Sequence, residues 1–376
     1  MSSGPTSPIT APVPLPQAPA ERLTFREATE ADARAWDAFV EAHPEGRFCQ
    51  LWGFRRVLEH TYGYRCRYVC GFAGEKLAVV FPAIVVRGRA PRLISLPFNE
   101  YGGPLSLILS QEQYLQVAEA LLCLAKDEKC QSVEIRGGVG CEPLTASPAC
   151  VRHPLYSYAT SDLQPKEILW RKALTNEARK GVNSATKAGL RGEVRRGEAA
   201  IADPFYKLYL ISMKRLGVPP HPRSFFEDLA SGFGERLVAS WINKDAEIAS
   251  VLLGLISGER LQIYIIASAP EFWKQRPNDL AHWELITWAV ENRIRVFDWG
   301  SARYPGQIQF KKKWGGSFHE YSYYLIAPPG SPAAQQIQTV ETGSKLMETA
   351  AEVWKRVMPL GLSPVIGKPI RKYLTK

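Results

Sequence analysis

The chain has few of the features that mark a specialised structural class. It has seven cysteines in 376 residues, all in the first half, with no CxxC pair and no zinc-ligand spacing. We therefore expect reduced thiols in a cytoplasmic protein, with no disulfide framework and no metal. The longest apolar run, AVVFPAIVV at residues 78–86, is far shorter than the roughly 20 residues of a transmembrane helix.

The start of the sequence lacks the basic and apolar regions of a signal peptide. Residues 1–20 are rich in proline, serine and alanine instead. Such a composition cannot bury enough apolar surface to offset the entropy of ordering. We predict a disordered tail over this range.

The overall composition indicates a globular chain with an anionic partner. Hydrophobic residues make up 45% and aromatic residues 11% of the chain, and its length corresponds to two or three domains. The formal net charge is +10. A positive balance of this size suits a nucleic acid, a nucleotide-type co-substrate, a phosphorylated substrate or an acidic membrane.

Helical and strand-like patterns alternate along the chain, which predicts an α/β fold with mixed sheets. An aromatic-glycine pair ends a helical pattern at Tyr62-Gly63 and again at Phe233-Gly234, and 234 minus 63 gives an offset of 171. The same offset relates the strand positions Leu77-Ala78 and Ile248-Ala249. We interpret this as two copies of one α/β unit.

We predict domain boundaries from these patterns. After the tail, a first domain is expected over 21–160 and a second, beginning with a basic helix, over 161–327. Residues 328–376 would form a linker, PPGSP, followed by C-terminal amphipathic helices. Those helices could lie on an acidic membrane face or pack back on their own domain, and periodicity favours neither.

The segment FDWGSARYPGQIQFKKKWGG at residues 297–316 is the strongest candidate for a functional site. It reads as a strand ending near Asp298, a loop with Arg303, and then Phe310 before three consecutive lysines and Trp314. A carboxylate at a strand end and cations between aromatics suit an anionic or acyl-carrying ligand. The alternative is a strand, a loop and a solvated run of charge.

Two further segments carry candidate binding residues. Residues 171–196 hold eight basic and two acidic residues. In the predicted helix, Lys172, Arg179 and Lys180 lie on other faces than the apolar side chains, where they could bind phosphate or simply be solvated. The segment Asn99-Glu100-Tyr101-Gly102-Gly103 could line a pocket or form a tight turn. A lone histidine on a helix, His282, is interpreted as structural.

Six segments in order resemble the FemAB family, and more narrowly its branch associated with exosortase and exopolysaccharide loci. They are NEYGG at 99–103, the basic helix with Lys172 and Arg179-Lys180, LGVP at 216–219, NDLAHW at 278–283, FDWG at 297–300 and FKKKWG at 310–315. The resemblance implies two tandem domains of the acyl-CoA N-acyltransferase (GNAT) fold, with a cleft in or between them, followed by the C-terminal helical tail.

The resemblance also implies an activity, the transfer of an acyl or aminoacyl group to an amine of a cell-envelope or exopolysaccharide precursor. The donor would be acyl-CoA or aminoacyl-tRNA as a co-substrate, with no permanently bound cofactor. Trp314-Gly315 and the lack of a long coiled-coil arm depart from the members that build peptidoglycan bridges. The competing hypothesis is a non-catalytic module of the same fold that binds nucleic acid or a membrane surface. Any membrane contact of the protein would be peripheral, at the inner face of the membrane.

The family's Phe-Lys pair at the acyl-transfer site corresponds to Phe310-Lys311. We expect Lys311 to face the oxyanion or the donor phosphate, and Asp298 to accept the amine proton, to anchor the ammonium form, or to cap the following turn. The remaining substrate-binding candidates are Asn99, Tyr101, Gly102, Gly103, Arg303 and Trp314.

Overall fold

The computed structural model describes residues 15–19, 21–99, 102–138, 140–335 and 345–374. Most of the tail predicted over 1–20 lies outside these residues, as does Tyr101. Within them the predicted alternation of helices and strands is confirmed, and the molecule is a mixed α/β structure.

The described residues of the first half form nine strands and three α-helices, with short turns between them. In order they are β1 (Leu23–Glu27), α1 (Ala33–Ala42), α2 (Trp52–Tyr62), β2 (Arg65–Cys66), β3 (Val69–Ala73), β4 (Lys76–Phe81), β5 (Ile84–Val86), β6 (Arg92–Ile94), β7 (Leu105–Ser106), α3 (Gln111–Asp127), β8 (Ser132–Gly137) and β9 (Cys150–Asp162). The apolar run at 78–86 is divided between β4 and β5, because Pro82 cannot donate to a strand partner.

The second half repeats the pattern. Its elements are α4 (Lys166–Ile168), a π-helical turn (Leu169–Ala173), α5 (Asn176–Lys187), β10 (Arg191–Arg196), α6 (Asp203–Leu216), α7 (Arg223–Phe233), β11 (Leu237–Lys244), β12 (Glu247–Ser257), β13 (Arg260–Ser268), α8 (Pro277–Glu291), β14 (Val296–Ala302), α9 (Pro305–Lys313) and β15 (Ser317–Ile326). Helices α10 (Pro332–Gln335), α11 (Lys345–Val357) and α12 (Ser363–Leu374) follow.

The sheets join the two halves. A small sheet has the order β1-β3-β4-β7, and a continuous one of 11 strands has the order β10-β11-β12-β13-β14-β9-β15-β8-β6-β5-β2. Strand β9 of the first half therefore lies beside β14, and β15 of the second half pairs with β8. The last long strand of each half, β9 or β15, therefore pairs with a strand of the other half.

The helices that end at the two matched glycines also meet. Helix α2 ends at Gly63 and α7 at Gly234, and both glycines have a positive φ. A Cβ added at Gly53 of α2 would lie 2.9 Å from the backbone oxygen of Gly232 in α7, so these helices approach at backbone distance. The core around them is continuous across both halves.

The C-terminal helices pack back on both halves, and Arg371 of α12 lies over the ring of Phe98 in the first half. Trp354 of α11 is buried, and α12 reaches loop residue Pro219 through the guanidinium group of Arg371, which donates to its carbonyl oxygen. Within the described ranges, no helix has the length and apolar content needed to cross a membrane.

One segment differs from the sequence interpretation. Residues 305–313, predicted as a loop followed by a charge run, form helix α9, which starts at Pro305. Proline is favoured in a first turn because its missing N–H has no partner there in any case. The last turn of α9 consists of the three lysines, whose cations are favourable at a helix C-terminus.

Candidate active site

A cavity of about 460 Å³ opens between strands β13 and β14 and is closed by helices α8 and α9. The first half contributes Phe98 and Asn99 to its wall, so the cavity lies where the two halves meet. The rest of its lining comes from the second half: Leu252, Gln262, Ile263, Tyr264, Ile265, Ile266, Asn278, His282, Trp299, Gly300, Ser301, Gly306, Gln307, Phe310 and Lys311.

The cavity exists because β13 and β14 separate. They pair in parallel only over 260–262 and 296–298, although β13 continues to Ser268 and β14 to Ala302. β14 carries an irregularity at residues 299–300, where Gly300 has a φ of +69° that only glycine adopts easily. Beyond Gln262, the side of β13 facing β14 has no strand partner among the described strands.

The buried carboxylate of Asp298 holds this irregularity in place. One of its oxygens accepts a hydrogen bond from the backbone N–H of Gly300 at 3.0 Å. The other lies 3.2 Å from Nη1 of Arg260 and 3.4 Å from Nε of Arg47. Asp298 is completely buried and lies beneath the cavity wall. Its contacts are those of a residue that caps the turn and balances two cations.

A second carboxylate completes the cluster. Glu45 is paired with Arg47 at 3.0 Å, and the hydroxyl group of Tyr158 donates to it at 3.2 Å. Burial alone would raise the pKa of Glu45, but Arg47 and Arg260 outweigh it and hold the pKa below its usual value. We call Glu45, Arg47, Arg260 and Asp298 the buried ion cluster. It joins residues of both halves under the cavity.

The lysine expected to act in catalysis lies in the cavity wall. Lys311 is largely buried, and its ammonium group donates to the backbone oxygens of Gly300, at 2.8 Å, and of Ser301. Both carbonyl groups belong to the irregular part of β14 that Asp298 holds. The buried ion cluster thus determines the position of the Lys311 cation indirectly. Asp298 holds the turn at Gly300, and the carbonyl oxygens of that turn hold Lys311.

The other two lysines of the run have different environments. Lys312 is exposed, as a solvated run of charge would be. Lys313 differs from that pattern, because it is buried and pairs with Asp279 at 2.6 Å, with its ammonium group 4.5 Å from the ring centre of Phe310. Successive residues of a helix point about 100° apart. The three consecutive lysines therefore lie in three different environments.

His282, interpreted as structural from the sequence, lines the cavity. Its Nδ1 lies 2.7 Å from the backbone oxygen of Asn278, one turn earlier in α8. A carbonyl accepts only, so Nδ1 carries the proton and Nε2 keeps its lone pair. Burial, with a smaller effect from Lys313 and Lys311, lowers the pKa of His282 to about 4. The imidazole is therefore neutral near pH 7.

Aromatic rings fix the orientation of His282. Trp299 stacks on it with ring centres 5.4 Å apart, and Phe310 lies at 4.9 Å. Trp314 is buried behind these rings, 5.9 Å from Trp299 and outside the cavity lining. Phe310 thus contacts the cavity directly, whereas Trp314 supports the residues that do.

The glycine segment contributes less than the sequence suggested. Asn99 is buried in the cavity wall. A Cβ added at Gly102 would lie 2.7 Å from the side chain of Leu96, and one at Gly103 would lie 3.0 Å from Sγ of Cys141. Both glycines therefore pack inside the first half, away from the cavity lining. Tyr101 lies outside the described residues.

The basic candidates do not converge on the cavity. Arg303 stacks its guanidinium group 5.2 Å from the ring centre of Tyr156. Arg179 donates to the backbone oxygens of Trp170 and Leu174, so it caps the π-helical turn before α5. Lys172 and Lys180 belong to the same basic segment as Arg179, and both are exposed and accessible to an anionic partner.

Sequence reasoning missed His282 and the partners of Asp298. Asn278 and His282 are four residues apart in a predicted helix, a spacing that puts them on one face and could have signalled their contact. No comparable signal exists for Arg47, because its contact with Asp298 spans most of the chain.

One family model matches the part of the chain that contains the candidate site. Residues 171–312 match the family model described as an acetyltransferase (GNAT) domain, a range that includes His282, Asp298 and Lys311. No curated protein matches the chain by sequence.

The fold resembles several solved structures. FemX is 15% identical with a TM-score of 0.65, over 85% of this chain and 100% of that one. The C-terminal domain of a putative lysylphosphatidylglycerol synthetase from Agrobacterium fabrum is 13% identical with a TM-score of 0.57, over 84% and 98%. A tandem GNAT protein from the clavulanic acid biosynthesis pathway is 10% identical with a TM-score of 0.53, over 82% and 100%.

Together these likenesses confirm the FemAB-like tandem GNAT architecture that the sequence motifs predict. The domain match supports an acyltransferase of the GNAT superfamily, whereas the solved structures show the fold alone.

We predict that Asp298→Asn lowers the free energy of unfolding by about 3–5 kcal/mol, because it removes the fully buried carboxylate of the two that balance Arg47 and Arg260. Urea unfolding measures this change. Asp203→Asn is the matched control, since Asp203 is exposed and paired with Arg223, and should cost less than about 1 kcal/mol. Unchanged stability of Asp298→Asn together with lost activity would instead favour the proton-accepting role.

We also predict that the imidazole of His282 stays neutral, with its proton on Nδ1, down to about pH 5. Nitrogen-15 NMR reports the tautomer, and the spectrum of His282→Gln identifies the signals. Between pH 6.5 and about 4 the imidazole of His282 takes up a second proton in the unfolded chain but not in the native chain. The free energy of unfolding therefore decreases as the pH is lowered through this range. The wild type should lose up to about 1.4 kcal/mol per pH unit more than His282→Gln. Titration of the ring near pH 6.5 would contradict the assignment.

Proposed function

We propose that the chain is an N-acyltransferase that moves an acyl or aminoacyl group from an activated donor to an amine of a cell-envelope or exopolysaccharide precursor. The observation that carries this proposal is the cavity between the separated strands β13 and β14, with Lys311 and His282 in its wall. The acceptor class rests on the resemblance to the FemAB branch, and the donor is acyl-CoA or aminoacyl-tRNA.

The separated strands supply a binding surface for an extended donor. Residues 263–266 of β13 line the cavity, and their backbone groups on the β14 side have no strand partner in the described sheet. An extended chain with amide groups can hydrogen-bond to such an edge as an added strand does. The acyl group would then lie near Gly300, Ser301 and Lys311.

The chemistry requires alignment and charge stabilisation more than a nucleophile, because both donors are already activated. The amine nitrogen attacks the carbonyl carbon, a C–N bond forms, and the bond to the sulfur or ribose oxygen breaks. Lys311 supplies a cation for the oxygen that becomes negative. Nε2 of His282 accepts the proton that the amine loses and can return it to the leaving group.

Asp298 acts indirectly in this scheme. Its carboxylate is buried and bonded to Gly300, Arg47 and Arg260, so we assign it a positioning role. Through the turn at Gly300 it places the two carbonyl oxygens that hold Lys311. The base is then the cavity histidine.

The start of α8 bears on the choice of donor. A pyrophosphate commonly binds the free N–H groups at a helix N-terminus. Here that end carries the buried carboxylate of Asp279, paired with Lys313 and with Arg276. This carboxylate and its two cationic partners occupy the helix end in place of a phosphate, which supports a donor whose phosphates bind elsewhere. Exposed Lys172 and Lys180, near α8, could then contact the phosphates of a charged tRNA.

We predict that Lys311→Met lowers the rate of acyl transfer by about 100- to 1000-fold, the typical cost of removing one stabilising group from an oxyanion. Lys312→Met is the matched control, since Lys312 is the exposed neighbour in the same run, and should keep the wild-type rate. Circular dichroism establishes that both variants are folded. Full turnover in folded Lys311→Met would contradict the role of the cation.

The donor can be identified directly. The purified chain is incubated in parallel with labelled acyl-CoA and with tRNA charged with a labelled amino acid, each with and without an envelope-precursor extract. We expect one label to move to an extract amine in a saturable reaction, and the arrangement at Asp279 favours the charged tRNA. Strong, salt-sensitive RNA binding with no transfer from either donor would instead support the non-catalytic module.

A further inference from the structure

Helix α12 is amphipathic, but its apolar stripe faces outward. Leu362, Val365, Ile366 and Ile370 recur at the spacing of one helix face, and their exposed fractions are 53%, 73%, 39% and 37%. A surface helix of a globular protein normally buries such a stripe. Here the stripe is the solvent-facing side.

The opposite face of α12 explains this orientation, because it is made of small and polar residues. Ser363 and Gly367, one turn apart, are buried. A Cβ added at Gly367 would lie 2.8 Å from Cδ of Pro220, so the helix backbone packs directly on that proline. Turning the apolar stripe inward would replace this contact by a clash.

Helix α11 and the end of α6 extend the apolar surface. Val353 and Val357, one turn apart in α11, are 54% and 72% exposed. A Cβ on Gly217, just after α6, would lie 2.7 Å from the backbone oxygen of Ala351. The exposed side chains on either side of that glycine, Leu216 and Val218, therefore adjoin α11.

The charges around this surface have one dominant sign. Helix α12 contains no Asp or Glu, and its basic residues are Lys368, Arg371 and Lys372. Helix α11 ends with Lys355, which pairs with Glu352 at 2.5 Å, and with exposed Arg356. Apolar side chains beside lysines and arginines are the pattern of helices that lie in the interface of an anionic bilayer. Lys368 and Arg356 supply the positive charge that lipid phosphates attract.

We propose that the outer surface of α11 and α12, the α11–α12 face, docks the protein on an anionic lipid bilayer. Its exposed apolar residues would enter the headgroup region while the exposed cations Lys368 and Arg356 contact lipid phosphates. The face is next to the cavity, since the guanidinium group of Arg371 lies 5.5 Å from the ring centre of Phe98 in the cavity wall. Docking would thus hold the cavity close to a lipid-linked acceptor, a consequence that rests on the proposed function, although the docking itself does not.

Vesicle co-sedimentation of the full chain tests the proposal. Binding is compared on vesicles of phosphatidylcholine with phosphatidylglycerol and on phosphatidylcholine alone, without donor or acceptor. We expect binding only with the anionic lipid and a decrease with added salt. Val365→Asp and Val357→Asp should each weaken binding by about tenfold or more, and Lys368→Gln by about fivefold. Ile108→Asp is the matched control, since Ile108 is 47% exposed on the first half, and should bind as the wild type does.

Absence of binding to anionic vesicles, or equal binding by Val365→Asp, would overturn the proposal. So would a wild-type dimer in light scattering that Val365→Asp abolishes without any vesicle binding, because the face would then join two copies of the chain. Val365→Asp should transfer acyl groups to a water-soluble amine at the wild-type rate. Loss of vesicle binding with that rate intact separates a failure of docking from a failure of the proposed enzymatic function.

Discussion

The buried ion cluster beneath the cavity is the constraint on which the proposed site depends. Two guanidinium groups and the carboxylate of Asp298 are buried there beside the partly buried Glu45, and the desolvation of such charges offsets much of their attraction. The cluster's effect is therefore best seen in the geometry that it imposes. Arg47 belongs to the first half, whereas Arg260 and Asp298 belong to the second. Their pairing fixes the strand irregularity at Gly300 relative to both halves.

From that irregularity the charge pattern of the site follows. Lys311 is held by carbonyl oxygens of β14, while Lys313 is neutralised by Asp279 at the start of α8. The wall of the cavity thus presents one cation from a run of three. Beside it the neutral ring of His282 is kept neutral by burial and by these same lysines. A cation next to an uncharged acceptor of protons is an arrangement that acyl transfer to an amine can use.

How much of this the sequence could predict depends on the range of each interaction. The repeat, the strand-and-helix alternation and the candidate Phe310-Lys311 pair are local patterns, and the structure bears out the mixed architecture. The sequence predicts a loop where α9 forms, because Pro305, Gly306 and three lysines outweigh its short helical pattern. The contacts of Asp298 could not be predicted from the sequence, because no periodicity links Arg47 to a strand in the other half of the chain. Likewise, the burial of Lys313 follows from Asp279, a partner 34 residues away.

The exchange of the last strands between the two halves also has a consequence for biosynthesis. The sheet neighbours of β9 are β14 and β15, and both leave the ribosome after it. From the end of β9 to the end of β15, 326 minus 162 is 164 residues, which take roughly 10 to 30 seconds to translate. During that interval β9 and one edge of β8 lack their sheet partners, and an unpaired edge invites association with other chains. The order of synthesis therefore leaves these strand edges open to association until β14 and β15 have been made.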